Sequence, residues 1–174
     1  AVDTTRSTRP YLDYQHLSLH DYQLAIEDLI SEKSILNMKL RHAQLKEQSG
    51  LKLIHLSGNY QMDSLGMSLQ DLDLMTDVSS MRGDAAMPWS LFQSDPTAPL
   101  TLQLKTTLGT KDLLLLGGDQ LSQQAEGRAL YHRLARNRLL SPLKLQLDLS
   151  GTLQELQLRQ AELIWPELLT FKTQ

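Results

Sequence analysis

The chain has 174 residues and a formal net charge of −3 at pH 7, with acidic and basic residues interspersed along it. This length is enough for one buried core, and a charged content of 21% is typical of a folded domain. The lack of a concentrated basic segment argues against nucleic acid as the main partner. The absence of cysteine excludes disulfides, zinc–thiolate sites and thiol nucleophiles.

Residues 1–10 are rich in Thr, Arg and Ser and show no hydrophobic period, which predicts a flexible N-terminal segment. Residues 11–174 are predicted to form a single β-rich domain. Leucine occupies 39 positions of the sequence, so the apolar side chains of the domain are mainly aliphatic. Two strand candidates open this domain, at residues 11–19 and 22–30.

Alternation of apolar and polar residues with period two predicts most of the remaining strands. The plainest case is residues 143–149, where four leucines alternate with Lys144, Gln146 and Asp148. The same pattern marks residues 36–41, 100–105 and 156–158. A further strand is predicted to begin at Leu51 and to end near Gly58.

The alternation slips in phase between residues 65 and 74. Leu65, Met67 and Leu69 share one parity, whereas Leu72 and Leu74 share the other. Since a one-residue slip moves side chains to the opposite face, we predict a bulge or a break near residues 70–71.

Turn residues between the apolar runs predict consecutive antiparallel pairing. The predicted turns are Ser49-Gly50, Asp63-Ser64, Gly83-Asp84 and Ser150-Gly151.

One amphipathic helix is predicted near residues 121–140. This segment is rich in helix-forming residues, Asp119 or Ser122 is suited to cap its start, and Pro142 ends it. Its arginines at 128, 133, 136 and 138 suit the negative end of the helix dipole, and they also suit anionic lipid headgroups. The run 112–116 is equally compatible with a buried strand and a helical turn, and Gly117-Gly118 is interpreted as a flexible entry to the helix. Residues 87–99 contain three prolines and are predicted to be a loop.

No residue set in the sequence forms a recognisable catalytic or metal-binding motif, so we predict no catalytic residues, no metal and no cofactor. His16 and His20 lie four residues apart but in a segment that looks extended, without an accompanying carboxylate motif. The aspartates between residues 71 and 84 alternate with leucines, as on the solvated face of a strand. An enzyme would need a cluster such as His42, His55 and nearby carboxylates in one cleft.

The predicted fold class is therefore mainly β: a curved antiparallel sheet, either a U-shaped trough or a sandwich-like arrangement, with the one helix. Leucine-lined strands either close around a filled core or leave an open apolar surface for a ligand. Large uncovered apolar patches are rare in soluble monomers, which favours the filled core for an arbitrary domain.

Residues 45–76 resemble the AsmA-like/TamB family, in particular its Bacteroidetes envelope homologues. The resemblance is carried by the turn Lys46-Glu47-Gln48-Ser49-Gly50-Leu51, by Leu56-Ser57-Gly58, and by Leu72-Asp73-Leu74-Met75-Thr76. It extends to a helix followed by Pro142, Leu143 and Leu145, and then Ser150-Gly151. Its motifs are turn residues and leucines spread over most of residues 12–174.

The resemblance implies a non-enzymatic, internal fragment of a larger periplasmic protein whose parent is anchored in the inner membrane. Such proteins are implicated in phospholipid transport between membranes and in outer-membrane protein assembly, with phospholipid acyl chains and an outer-membrane barrel protein as partners. The alternative is a closed β-sandwich scaffold or protein-binding module of the cell envelope. The candidate lipid-lining residues are Leu102, Leu104, Leu143, Leu145, Leu147, Leu156 and Leu158.

Overall fold

A computed structural model describes residues 12, 17–93, 95, 97–123, 125–136, 141–166 and 169–173. Its strands form one nine-stranded antiparallel sheet in which every strand pairs with its neighbours in sequence. The sheet is not closed, and its form is consistent with a curved sheet. The mainly β prediction is confirmed. The strands are β1 (Leu19–Glu32), β2 (Ile35–Glu47), β3 (Lys52–Met62), β4 (Gly66–Thr76), β5 (Ser80–Pro88), β6 (Leu100–Leu108), β7 (Leu143–Gly151), β8 (Leu156–Trp165) and β9 (Leu169–Thr173).

The predicted phase slip in β4 is a β-bulge. The register of β4 against β5 shifts between Leu69 and Leu72, and Asp71 adopts a left-handed conformation with φ of 53°. The bulge returns Leu72 to the same face as Leu69, which is how one strand keeps its apolar residues on one side despite the change of parity.

Two of the four predicted turns lie between strands as expected. Ser49-Gly50 joins β2 to β3, and Asp63-Ser64 joins β3 to β4. Gly50 has a φ of 102°, which is the left-handed conformation that glycine adopts without steric cost. The third predicted turn, Ser150-Gly151, instead forms the end of β7, and the chain turns immediately afterwards.

The predicted turn at Gly83-Asp84 is wrong, because both residues lie inside β5. A Cβ atom on Gly83 would lie 2.0 Å from the backbone oxygen of Gln103 on β6. This glycine therefore allows two strands to approach closely rather than allowing the chain to turn. Gly58 likewise lies inside β3, so the predicted strand end at this residue is also wrong.

The N-terminal predictions are only partly within the described residues. The candidate strand at 22–30 lies within β1, while the one at 11–19 overlaps β1 only at Leu19. Residues 1–11 and 13–16 lie outside the described residues, as does the predicted flexible segment at 1–10.

The connection between β6 and β7 contains two helices instead of the one predicted near 121–140. They are α1 (Thr110–Gln123) and α2 (Ala125–Arg136). The ambiguous run 112–116 is therefore helical. Gly117 and Gly118 lie inside α1, so their interpretation as a flexible entry to the helix is wrong. Each costs about 1 kcal/mol relative to alanine in a helix, so tertiary contacts must offset this penalty.

Contacts from α1 attach this helix to the end of the sheet. The hydroxyl of Thr76, at the end of β4, donates a hydrogen bond to Asp112, and both residues are buried. The Nζ atom of Lys111 on α1 lies 2.6 Å from a carboxylate oxygen of Asp77, which follows Thr76 in the turn between β4 and β5. The backbone N–H of Leu12 donates to the carbonyl oxygen of Leu115 at 2.8 Å. The helices thus lie at one end of the strands.

The loop predicted for residues 87–99 contains more regular structure than expected. Pro88 ends β5, and the residues that follow form a short 3₁₀ helix, Trp89–Gln93. The indole N–H of Trp89 donates to the carbonyl oxygen of Asp63 at 2.7 Å, which ties this helix to the β3–β4 turn.

Candidate functional site: the apolar face of the sheet

The register of the sheet places apolar side chains opposite one another from strand to strand. Directly opposed residues in an antiparallel sheet share a face. One row runs across seven strands, from β2 to β8: Met38, Tyr60, Leu69, Ala85, Leu102, Leu149 and Leu158. A second row runs from β3 to β9 and has one polar member, Thr106: Leu56, Leu74, Met81, Thr106, Leu145, Leu163 and Phe171. We call the side of the sheet that carries these two rows the apolar face.

The opposite side, which we call the polar face, carries a matching row of polar and charged residues. This row contains Ser57, Asp73, Arg82, Lys105, Gln146, Glu162 and Lys172. The alternation in the sequence has thus become a sheet with one apolar and one polar side.

No second layer covers the apolar face within the described residues. In this part of the chain the buried apolar residues are Leu12, Ala43, Ala98, Leu115 and Leu134. Large apolar residues on the apolar face are exposed at both edges of the sheet: Leu24 is 63% exposed on β1, and Phe171 is 53% exposed on β9. A filled core would leave such side chains less than a tenth exposed.

The apolar face is nevertheless the more enclosed side of strand β6, next to the centre of the sheet. Leu100, Leu102 and Leu104 are half-buried, whereas Thr101 and Gln103, which point to the polar face, are exposed. With no layer above these leucines in the described residues, their neighbours in the sheet provide this shielding. On the next strand, β7, the polar-face residues Gln146 and Asp148 are half-buried like the leucines, so this difference is particular to β6.

All seven leucines that the sequence suggested as lining residues lie on the apolar face. Leu102 and Leu104 oppose Leu149 and Leu147, and Leu143 opposes Leu108. Leu145 lies in the second row. On β8, Leu158 opposes Leu149 and Leu156 opposes Gly151, and these two leucines are about half exposed, at 48% and 51%. That these residues contact lipid stays a prediction.

The candidate lining residues named from the sequence all lie on β6, β7 and β8, so β3, β4 and β5 were left out of this face. Tyr60, Met81 and Ala85 belong to the rows, but methionine, alanine and tyrosine make a weaker period-two signal than leucine does. In β5 the alternation Met81, Gly83, Ala85 was the available signal. The expectation of a turn at Gly83 hid it.

The polar face carries exposed ion pairs, so its positive and negative charges lie next to one another. Lys39 lies 3.2 Å from Glu27, which also pairs with Arg41, and Arg82 lies 3.0 Å from Asp73. Hydrogen bonds from Arg41 and then from Lys39 hold the pKa of Glu27 below its ordinary value. Exposed pairs of this kind contribute little to stability. They provide no concentrated charge of one sign on this face.

The aspartates of residues 71–84 have local structural partners. Asn59 donates a hydrogen bond to the carboxylate of Asp71 at 3.0 Å, and the backbone N–H of Asp71 donates to Asp84 at 2.7 Å. Asp73 pairs with Arg82, and Asp77 pairs with Lys111. These contacts brace the β4 bulge and the β4–β5 turn, in line with the strand-face interpretation.

The structure brings together the two histidines that the enzyme hypothesis required, but not the carboxylates. The Nδ1 atoms of His42 and His55 are 3.0 Å apart. Within the described part of the chain, no three histidine, aspartate or glutamate side chains are close enough to hold an ion together. His20 is exposed on β1, and His16 lies outside the described residues. The non-enzymatic assignment stays a prediction.

Comparison of the chain with protein-family models, with curated proteins and with solved structures gives no match. Neither α1 nor α2, over the residues described for them, has the length and apolar character needed to cross a bilayer.

Proposed function

We propose that this chain is a non-enzymatic length of a lipid-carrying trough in the cell envelope, as its resemblance to the AsmA-like/TamB family implies. In this proposal the apolar face shields phospholipid acyl chains in the periplasm. The parent protein is anchored in the inner membrane and supports outer-membrane protein assembly through a barrel partner. The observation that carries the proposal is the apolar row that continues across seven strands without a covering layer in the described residues.

The dimensions of the first row suit an acyl chain. Neighbouring strands lie about 4.8 Å apart, so the six intervals from β2 to β8 span roughly 29 Å. The hydrocarbon core of a bilayer is about 30 Å thick for two leaflets, so one acyl chain extends over about half the row. Such a chain would lie along the row, across the strands.

The chemistry of the face also suits this cargo. Each methylene removed from water contributes about 0.8 kcal/mol, so aliphatic side chains bind acyl chains without directional contacts. The two rows of the face consist of leucine, methionine and alanine, with Tyr60 and Phe171 as aromatic members and Thr106 as a polar one. Binding would therefore be spread over many residues, and no single one would be essential.

Site-specific photo-crosslinking tests the proposal in cells that produce the full-length parent. A photoreactive residue replaces Leu102, Leu145 or Leu158 on the apolar face, and the adjacent polar-face residues Gln103 and Gln146 serve as matched controls. Lipid adducts at the leucine positions and none at the glutamines are expected. Absence of lipid adducts at all three leucines, or equal yields on both faces, would overturn the proposal.

Protein adducts in place of lipid adducts at the same leucines would favour the scaffold or protein-binding alternative. The closed sandwich in that alternative has no counterpart in the described residues, where the strands belong to one sheet.

A further inference from the structure

A cross-strand histidine pair lies on the polar face, away from the proposed lipid surface. His42 opposes Ala25 of β1, and His55 opposes Met75 of β4. The strands are irregular here, because the register shifts next to both histidines and the pairing of β2 with β3 is interrupted between residues 40 and 45. This irregularity allows the two imidazole rings to converge with centroids 5.2 Å apart.

The two rings meet through the same type of nitrogen. Their Nδ1 atoms are 3.0 Å apart, and both side chains are half-buried. A hydrogen bond between two Nδ1 atoms needs one N–H and one lone pair, so the rings share a single proton at this point. Removing that proton leaves two nitrogen lone pairs directed at the same small volume.

A third side chain orients one of the rings. The Nε2 atom of His55 lies 3.0 Å from the hydroxyl oxygen of Ser57. A histidine that binds a metal through one nitrogen carries its proton on the other, and that N–H usually donates to a nearby oxygen. Ser57 is placed to accept this hydrogen bond and so to leave Nδ1 of His55 free for an ion.

We propose that His42 and His55 bind one divalent transition-metal ion through their Nδ1 atoms, with Cu²⁺ preferred. Metal–nitrogen bonds of about 2.05 Å place two nitrogens about 2.9 Å apart at a right angle and about 3.4 Å apart at a tetrahedral angle. The 3.0 Å separation matches the right angle, which is the arrangement of neighbouring ligands in the tetragonal shells of Cu²⁺ and Ni²⁺. Cu²⁺ also binds nitrogen ligands more strongly than Ni²⁺ or Zn²⁺.

The protein supplies two ligands to this ion, and water supplies the others. No group of three histidines and acids surrounds the pair in the described residues. Arg41, the nearest charged neighbour in sequence, is paired with Glu27. The site is therefore a bidentate, solvent-facing one that differs from an enclosed structural metal centre.

Titration of the purified chain with Cu²⁺, followed by pulsed electron paramagnetic resonance, tests the site. The spectrum counts the imidazoles on the ion: two are expected in the unmodified chain, and one in His42→Ala or His55→Ala. Ser57→Ala is expected to weaken binding about 10-fold, since loss of an orienting partner costs 10–100-fold. His20→Ala and His132→Ala, which remove exposed histidines elsewhere, are the matched controls and are expected to leave the imidazole count and the affinity unchanged.

A second readout uses the unmodified chain, so it does not depend on variants that fold. Substoichiometric Cu²⁺ is expected to broaden the imidazole NMR signals of two histidines, which assignment identifies as His42 and His55, before those of His20 and His132. The proposal is overturned if the ion broadens other histidines first, if the double variant His42→Ala/His55→Ala binds Cu²⁺ with unchanged affinity and imidazole count, or if the unmodified chain binds none.

Discussion

Truncation of Leu158 on the apolar face and of the buried Leu134 on α2 should have very different effects on stability. Leu134 on α2 is 0% exposed, whereas Leu158 on β8 is 48% exposed. Truncating a fully buried leucine to alanine costs about 2–5 kcal/mol, because a cavity is added to the lost burial. We therefore expect Leu134→Ala to lower the free energy of unfolding by about 3 kcal/mol.

The same change at Leu158 removes a side chain that is only half-buried. Full burial of a leucine contributes about 1.5–3 kcal/mol, so half of that value, without a cavity, gives about 1 kcal/mol. For a chain of this size, 1 kcal/mol corresponds to a shift of about 2–4 °C in the melting temperature.

Urea and thermal denaturation, followed by circular dichroism, measure both variants against the unmodified chain. The expected result is a loss for Leu134→Ala about threefold that for Leu158→Ala. An equal, large loss for both variants would refute the reasoning, because it would mean that Leu158 lies in a filled core.

Three further changes probe the sheet and its connections. Gly83→Ala is expected to lower stability by about 3 kcal/mol or more, since its Cβ would lie 2.0 Å from a backbone oxygen of β6 and the two strands would have to separate; thermal denaturation measures it. Asp112→Ala is expected to cost about 1.5–3 kcal/mol in urea denaturation, because it removes the buried hydrogen bond from the Thr76 hydroxyl to a carboxylate and leaves that hydroxyl only the carbonyl oxygen of Ser79, at 3.5 Å. Burial alone would raise the pKa of Glu47, but hydrogen bonds from Ser49 and from the backbone N–H of Ser18 outweigh it and hold the pKa below its ordinary value. The ionised Glu47 therefore contributes to the free energy of unfolding above the carboxyl's unfolded pKa of about 4.3, and this contribution is lost as pH falls through the lower folded pKa. Glu47→Gln is expected to lower the free energy of unfolding at pH 7, and to reduce the amount by which that free energy falls between pH 5 and pH 2.

Each of these changes has its own control and contrary result. Gly50→Ala, where no atom lies within 4 Å of the added Cβ, should cost only the strain of its φ of 102°. A Gly83→Ala loss no larger than this would contradict the close approach of β5 and β6. Asp77→Ala removes an exposed ion pair near Asp112 and should cost less than 1 kcal/mol, so a similar loss for both aspartates would contradict the buried hydrogen bond. An unchanged pH dependence in Glu47→Gln would contradict the role given to this carboxylate.

The strands were predictable wherever leucine alternated with polar residues. Residues 143–149 contain four leucines on one parity, and this run became β7. The slip between Leu69 and Leu72 even predicted the bulge at Asp71, because only an extra residue keeps both leucines on one face.

The features that the sequence did not predict depend on contacts between distant segments. Gly83 looks like a turn residue, and only the neighbouring strand reveals that the missing Cβ is required inside β5. Gly117 and Gly118 disfavour a helix locally, but α1 is fixed to the sheet by Asp112 and Thr76. The pairing of His42 with His55 depends on two irregular stretches whose alignment no local pattern encodes.

The accessibility of the apolar face to acyl chains can be measured directly, because the chain contains no cysteine. A polarity-sensitive fluorophore is attached through Leu104→Cys on the apolar face, and through Gln103→Cys on the polar face of the same strand. On addition of phospholipid vesicles, we predict a blue shift and higher emission at position 104 and little change at position 103. No response at position 104, or the same response at both positions, would contradict the assignment of this face as a lipid-carrying surface.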